Sequence, residues 1–260
     1  MALTAVCAKI NVPIFSIKQP ETFQIATSVP TPQPSTLVGA LAYCLGVQRG
    51  IGLKAQEIAR GTVVAARAKL VSEATSINPV ILRRFRVLDK GLEDKDLERG
   101  YYALRAGDFD AFRKIMEGLT DALYREYLFR STLKCAWILK AHLESKMLYL
   151  LQRLGDTESL VNVVEAWSTD CRPLLVDNVS TDYPFAVTPD LIDAIRGSYT
   201  TVKMCDEARE LKLFYVPCKR EVKSTPTGVK YFVYAPAKVD VRLKEAREVF
   251  AVGEEYVVRG

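Results

Sequence analysis

Residues 4–18 read TAVCAKINVPIFSIK. Val6, Ala8, Ile10, Val12 and Ile14 recur at every second position, the signature of a β-strand with one apolar face. Pro13 has no N–H to give to a ladder, which confines it to an edge or a bulge. A polar loop follows, Gln19 to Pro34, with prolines at 20, 30, 32 and 34. The period then changes. In PSTLVGALAYCLG, residues 34–46, Leu37, Val38, Leu41, Cys44 and Leu45 fall on one face of a helix. Ser35 or Thr36 offers an N-cap, Gly39 and Ala40 allow close approach to a sheet, and Gly46 suits the helix end.

Two strands come next. Gly61 to Ser72 sets Val64, Ala66, Ala68 and Leu70 against Arg67 and Lys69; Asn78 to Leu88 sets Ile81, Phe85 and Val87 against Arg84 and Arg86. Asp89 to Glu98 reads as an acidic, solvated loop, and a helix is predicted from Asp108 to about Thr120. Leu123, Tyr127 and Phe129 fit a helix or a strand; beyond Ser131 the period is two, through Leu133, Cys135, Trp137, Leu139 and Ala141. The stretch is read as a long β-hairpin turning near Arg130-Ser131. A helix over Leu143–Leu154, ended by Gly155, and a strand over Ser159–Ser168 give the order β-α-β-β-(insertion)-α-β. This is the ferredoxin-like, RRM-type arrangement, with two helices on one face of an antiparallel sheet and the other face free for a ligand. After Cys171 the chain is mostly strand: Leu211–Pro217, Val229–Ala235, Val239–Leu243 and Glu248–Val258, with a hairpin tip at Lys223–Gly228. The expected fold is α+β: a ferredoxin-like domain over 1–170 with an insertion around 89–143, then a smaller β-rich unit over 171–260.

Composition narrows the chemistry. Of 260 residues, 49% are hydrophobic and 26% charged, enough for a packed core and against disorder. The net charge of +5 is uneven: residues 1–88 hold ten basic and three acidic side chains, and the remainder sums to −2. A basic patch in the first third suits a polyanion. No apolar run approaches a membrane span, and the N-terminus alternates rather than resembling a signal peptide, so a cytoplasmic location is expected. Six cysteines form no CxxC pair, which removes the usual zinc signature and reads as small buried hydrophobes, with Cys205–Cys218 the one disulfide worth weighing. A single histidine, His142, rules out paired-histidine metal sites. Phosphate-loop, GxGxxG and GxSxG motifs are absent, and no cofactor or metal is expected.

Three segments carry a family resemblance. Pro34-Ser35-Thr36-Leu37-Val38-Gly39-Ala40-Leu41 resembles the entry into the first helix of the fifth CRISPR-associated (Cas) family, a branch of the RAMP superfamily built on an RRM-like fold. Arg153 to Val161 resembles that family's link into the last core strand. Phe214-Tyr215-Val216-Pro217-Cys218, with Val249-Phe250 and Tyr256-Val257-Val258, resembles its closing strands. The overall look is nearest the archaeal type I-A form. The resemblance implies a non-catalytic RNA-binding subunit of a Cascade interference complex in antiviral defence. Such a subunit binds the 5′ handle of the CRISPR RNA, caps the filament of backbone subunits and carries a β-hairpin thumb. The implied partners are the CRISPR RNA, a backbone subunit and a large subunit, in a hetero-oligomer without a membrane. One branch instead cuts precursor RNA without a metal, using a tyrosine on the first helix and a neighbouring Lys-His pair.

Candidate RNA contacts follow. Ser35 and Thr36 combine hydroxyls with a helix start, which suits a phosphate or serves simply as a cap. Lys18, Gln19, Gln24 and Gln33 flank the loop, where glutamines can read base edges or sit in solvent. Arg83, Arg84 and Arg86 form the densest basic cluster, for phosphates or as a solvated sheet face. Arg125, Tyr127, Arg130 and Lys134 interleave cations with an aromatic near the predicted hairpin tip, where Tyr127 either stacks on a base or joins the core. For the endoribonuclease alternative the residues are Tyr43, Lys140 and His142; Ala141 separates the last two, a departure from the adjacent pair. A third reading is a ferredoxin-like protein-interaction module with no RNA role.

Overall fold

The computed structural model describes residues 3–20, 25–85, 94–156, 159–228 and 230–259. In the first half the elements are β1 (Leu3–Phe15), β2 (Ile25–Ala26), α1 (Pro34–Arg49), α2 (Lys54–Thr62), β3 (Val63–Leu70), β4 (Ala74–Phe85), α3 (Asp94–Arg105), α4 (Phe109–Leu119) and β5 (Thr120–Leu139). In the second they are β6 (Asn162–Thr181), β7 (Ile192–Gly197), β8 (Tyr199–Cys205), β9 (Leu211–Ser224), β10 (Lys230–Pro236), β11 (Val239–Val252) and β12 (Glu255–Val258). Among the described residues the twelve strands join one sheet, along the path β12-β11-β6-β1-β5-β4-β10-β9-β8, with β2 and β3 also on β5 and β7 on β11. β1 is antiparallel to both β5 and β6, and β3 is antiparallel to β5, so the order around β1 is β6-β1-β5-β3. The molecule is mixed α/β with a large antiparallel sheet. The residue positions 170 and 171 fall inside β6, and the C-terminal strands extend the same sheet.

The apolar alternation of β1 does what its period requires. Val6, Ala8, Ile10 and Val12 pack with Ala66 and Ala68 of β3 and Leu133, Cys135 and Trp137 of β5 beneath Leu37, Leu41 and Leu45 of α1. Trp137 is fully buried, and its Nε1–H donates to the Leu37 carbonyl at 2.8 Å. The inward-facing positions then change parity. Phe15 of β1 and Leu128 of β5 face the same core as Val12 and Leu133. The registers Val12↔Ser131 and Ile14↔Phe129 set Pro13 opposite Arg130, whose φ is +58°. A left-handed residue breaks strand alternation, and both strands turn over together there. β5 changes partner at the same point, from β3 (up to Leu133) to β4 (from Phe129), with the Val71–Glu73 crossover tied to it by Val71 N–H to Thr132 O at 2.8 Å.

This bend corrects the predicted hairpin. Residues 120–139 are one strand with no turn at Arg130-Ser131; the antiparallel partner is β4, and the two helices α3 and α4 lie between them. The acidic stretch contributes α3 from Asp94 onward, and α4 matches the predicted helix, with Asp108 Oδ1 accepting from Ala111 N–H at 3.0 Å. The predicted helix over 143–154 shrinks to a 3₁₀ turn, Ser145–Leu150. Helix α2 is new, burying only Ala55 and Ala59. α1 runs past Gly46 to Arg49 and stops at Gly50, whose φ of +64° is the left-handed C-cap. β7 and β8 add to the four strands expected after Cys171, and the Lys223–Gly228 tip joins β9 to β10 as predicted.

The sheet face away from α1 is not free for a ligand. Ala5, Cys7, Ala136 and Ile138 pack there with Tyr183, Phe250 and Val257 from the C-terminal third. Two cations of β3 lie in it. Arg67 is 2% exposed and pairs with Glu207; Lys69 is 7% exposed and pairs with Asp182 and, at 2.8 Å, with Glu255. Lys134 reaches the same Glu255 oxygen at 2.8 Å, and the Tyr183 hydroxyl donates to its other oxygen at 2.8 Å. Burial pushes the Glu255 carboxyl up, but hydrogen bonds from Lys134 and Lys69 and the Lys69 charge outweigh it, leaving it below the ordinary value of 4.5.

The chain between the 3₁₀ turn and β6 is a tight loop. Leu154 N–H donates to Ser159 O at 3.0 Å, Val161 N–H to Gln152 O at 2.9 Å, and Ser16 N–H to the buried Ser159 Oγ at 3.1 Å. Gly155 has φ +111°, and a Cβ there would stand 2.6 Å from Ile17 Cγ1 and 3.3 Å from the Ser16 carbonyl. Only glycine fits both constraints.

Two outcomes follow. Gly155→Ala should cost about 2–4 kcal/mol in denaturant unfolding, from backbone strain plus the overlap with Ile17; a loss within error would mean the loop relaxes freely. A lowered carboxylate contributes stability that is complete above its unfolded value and lost as pH falls through the folded one. Glu255→Gln should therefore lower stability by about 1–3 kcal/mol at neutral pH and flatten the decline below pH 4.5, read from unfolding midpoints across an acid series.

Candidate nucleic-acid interface

Helix α1 begins where Pro34 supplies a pre-set φ at the first helical position. Its N-cap is Gln33 with extended backbone and no side-chain cap bond, so neither Ser35 nor Thr36 caps the helix. Both lie in the first turn, half-buried, and the Thr36 N–H already donates to the Gln33 carbonyl at 3.0 Å. Pro34 has no N–H, so the helix start presents fewer donors to an anion than its sequence suggests. The core stripe leaves the opposite face of α1 outward, with Gly39 and Tyr43 on it; Tyr43 is 46% exposed, and no atom crowds a Cβ built at Gly39.

Across from this face stands the Gly155 loop. Between them runs a groove of about 650 Å³, walled by Thr36, Gly39 and Tyr43 on one side and by Gln152, Arg153 and Gly155 on the other. Gln152 and Arg153 are exposed, while their neighbour Leu154 is buried and anchors them. An aromatic ring, a guanidinium, an amide and a hydroxyl thus line one cleft. That set suits single-stranded nucleic acid: a ring for a base, a cation for a phosphate, and polar groups for base edges.

The predicted contacts separate. Lys18 is exposed and forms a β-bridge with Ser28; Gln19 is half-buried and donates its N–H to Thr27 O at 2.9 Å. Gln33 is buried, with Oε1 accepting from Cys205 N–H at 2.9 Å and Nε2 facing Lys18 O at 3.5 Å, so its side chain ties two segments together and is not available to a base. Gln24 and Arg86 lie outside the described residues. Arg83 and Arg84 belong to β4, in register with Ala122 and Asp121. Arg125 pairs with Asp156 of the Gly155 loop at 3.1 Å. Tyr127 is 7% exposed beside Phe129, which removes it as a stacking platform. Arg130 is exposed at the bend. Lys134 is held by Glu255 and lies 5.2 Å from the Trp167 ring centre; β5 is one continuous strand, so Lys134 sits mid-sheet between Lys9 and Lys69 and not at a tip.

The three residues of the nuclease reading do not share one groove. Tyr43 lines the cleft with Arg153, whereas His142 lines a second cleft of about 420 Å³ with Gln48, Arg49 and Glu144. Lys140 and His142 follow the end of β5 and so are not on the strand that would give them a common face; both are exposed, and the Lys140 N–H donates to Thr62 O at 2.9 Å. All six cysteines are free, five of them buried. Burial pushes the thiols of Cys7, Cys44 and Cys218 up to about 12 and that of Cys171 to about 11, so they are protonated at neutral pH. Among the described residues no cluster of three His, Cys, Asp or Glu is spaced to hold a metal, and no helix is long and apolar enough to cross a membrane.

Arg153, Gln152 and Gly155 line the groove and were not among the candidate contacts singled out from the sequence. The signal available was the glycine directly after an Arg-Leu pair, in a segment that already carried the family resemblance.

No family model matches the chain. A CRISPR-associated protein Cas5 from Thermoproteus tenax is 33% identical over 217 residues, covering 80% of this chain and 83% of the relative. Another of the same name from Methanocaldococcus jannaschii is 28% identical over 182 residues, 64% of each chain. Among solved structures, a CRISPR protein from Archaeoglobus fulgidus superposes with a TM-score of 0.59 over 98% of both chains at 17% identity, which speaks for the fold alone. A chain of a CRISPR RNA-guided surveillance complex superposes more loosely, with a TM-score of 0.37 and 12% identity over 92% of this chain and 91% of that one. With a third of the aligned residues identical over 80% of this chain and 83% of the relative, the chain belongs to the CRISPR-associated Cas5 family.

Proposed function

We propose that this chain is the non-catalytic subunit of a Cascade interference complex that binds the 5′ handle of the CRISPR RNA. The observation that carries this reading is the cleft in which Tyr43 of α1 faces Arg153 of the Gly155 loop. One wall is a helix and the other a loop tied down by Leu154 N–H to Ser159 O and Val161 N–H to Gln152 O, which favours binding a single strand with little reorganisation. In this reading the order β6-β1-β5-β3 is the ferredoxin-like core. The β4–β5 arm, with α3 and α4 at its end, is the thumb; it meets the backbone subunit as the chain caps the filament. The C-terminal strands meet the large subunit, in the cytoplasm.

Handle-bearing CRISPR RNA should bind tightly and weaken steeply with salt. Tyr43→Ala should lower affinity by about 1–3 kcal/mol, the range for a lost base stack, and Arg153→Ala should add a loss of similar size in fluorescence anisotropy. Equal affinity for RNA without the handle would overturn the reading. Incubating repeat RNA with the protein in EDTA tests the alternative: cleavage abolished by His142→Ala would make the chain an endoribonuclease and the groove assignment incomplete.

A further inference from the structure

We propose that Arg60 and Arg209 form a phosphate clamp for a nucleic-acid strand, on residues separate from the α1 cleft. Arg60 lies in the last turn of α2, and Arg209 on the turn between β8 and β9. Both are exposed. They converge on one neutral group: with its amide oxygen turned toward them, Gln56 accepts from Arg60 Nη2 at 3.2 Å and from Arg209 Nη2 at 2.8 Å. Two guanidinium groups thus stand side by side, and among the described residues no carboxylate pairs with either. Glu57, the acidic residue in the first turn of α2, forms no ion pair with Arg60.

Like charges do not converge without being held, and here the holding is visible. Arg209 has a φ of +70°, a conformation that costs a non-glycine residue about 1–3 kcal/mol unless its surroundings fix it. Asp206 fixes it: Oδ1 accepts from Ala208 N–H at 2.9 Å and from Glu210 N–H at 2.8 Å, and Oδ2 pairs with Lys212 at 2.9 Å. Glu207 of the same turn reaches into the sheet, where it meets Arg67 and accepts from Ala66 N–H on the open edge of β3 at 2.7 Å. At the head of the turn, Cys205 N–H donates to Gln33. The turn is therefore seated at three points, and its exposed tip delivers Arg209 to Arg60.

A tetrahedral phosphodiester matches two forks aimed at one point, whereas a single carboxylate is saturated by one bidentate arginine. The clamp extends the RNA-binding reading, and the strand it takes is single-stranded RNA.

The test uses the full chain, labelled handle-bearing RNA, and anisotropy across a salt series. Arg60→Ala and Arg209→Gly should each weaken binding roughly tenfold and lower the slope of log affinity against log salt by about 0.7, the share of one phosphate on a single strand. Arg209→Gly is the informative variant, because glycine accepts the positive φ: thermal stability should hold or rise while RNA binding falls. Joint replacement by lysine should restore the slope without restoring full affinity. Unchanged affinity and slope would overturn the clamp. So would defects confined to assembly with protein partners, which would assign the pair to an acidic protein surface. If Tyr43→Ala and Arg153→Ala weaken binding while the clamp variants do not, the clamp alone fails. The reverse pattern removes the cleft and keeps the clamp, and silence from both sets removes both.

Discussion

Arg67 is almost fully buried, and its guanidinium is a cation with five N–H donors and no acceptor. An anion must therefore meet it inside the sheet, and the one it meets is Glu207, on a turn 140 residues further along the chain. Lys69, two positions on, imposes the same demand and is met by Asp182 and Glu255. These pairings join the first third of the chain to the last third across a sheet face that would otherwise be open. Leaving one partner unmatched costs several kcal/mol, so the arrangement acts on specificity more than on net stability. The position of the C-terminal segment, and with it the 206–210 turn, follows from where two cations of β3 had to find company.

Much of the fold is legible in the order of periods along the chain. The alternation through Val6 to Val12 and the helical stripe from Leu37 to Leu45 both bury the residues they mark. What misleads is a pattern with two causes. Arg67 and Lys69 alternate with alanines as a half-exposed strand would, and nothing local reveals carboxylates more than a hundred residues away. Pro13 and Arg130 each look like interruptions, but the interruption is a shared bend in paired strands, which a one-dimensional reading converts into a turn. α2 hides because two alanines are its whole buried face. The 143–154 segment has the apolar spacing of a helix but is extended on either side of one 3₁₀ turn.

The candidate interface is less legible than the fold. Tyr43 stands out as an aromatic on the first helix, and Arg153 lies in a segment with family character, yet neither residue type nor spacing says that they face each other. Their meeting depends on Gly155 passing against Ile17, a long-range contact. The basic excess of the first third also misleads in detail. Two of its ten cations are neutralised inside the protein, and Arg60, which drew no notice in the sequence, is among those left outside.

The shared bend at Pro13 and Arg130 has a consequence for how this sheet can change over time. Because both strands turn over at one level, each keeps its apolar side chains inward only while the other does the same. An insertion or deletion of one residue on either strand would turn every side chain beyond it to the wrong face. Length changes near this level keep the faces only as even steps. Variation in this fold is thereby channelled away from the central strands and into the loops around them, which carry Arg153 and Arg209 of the contacts proposed above.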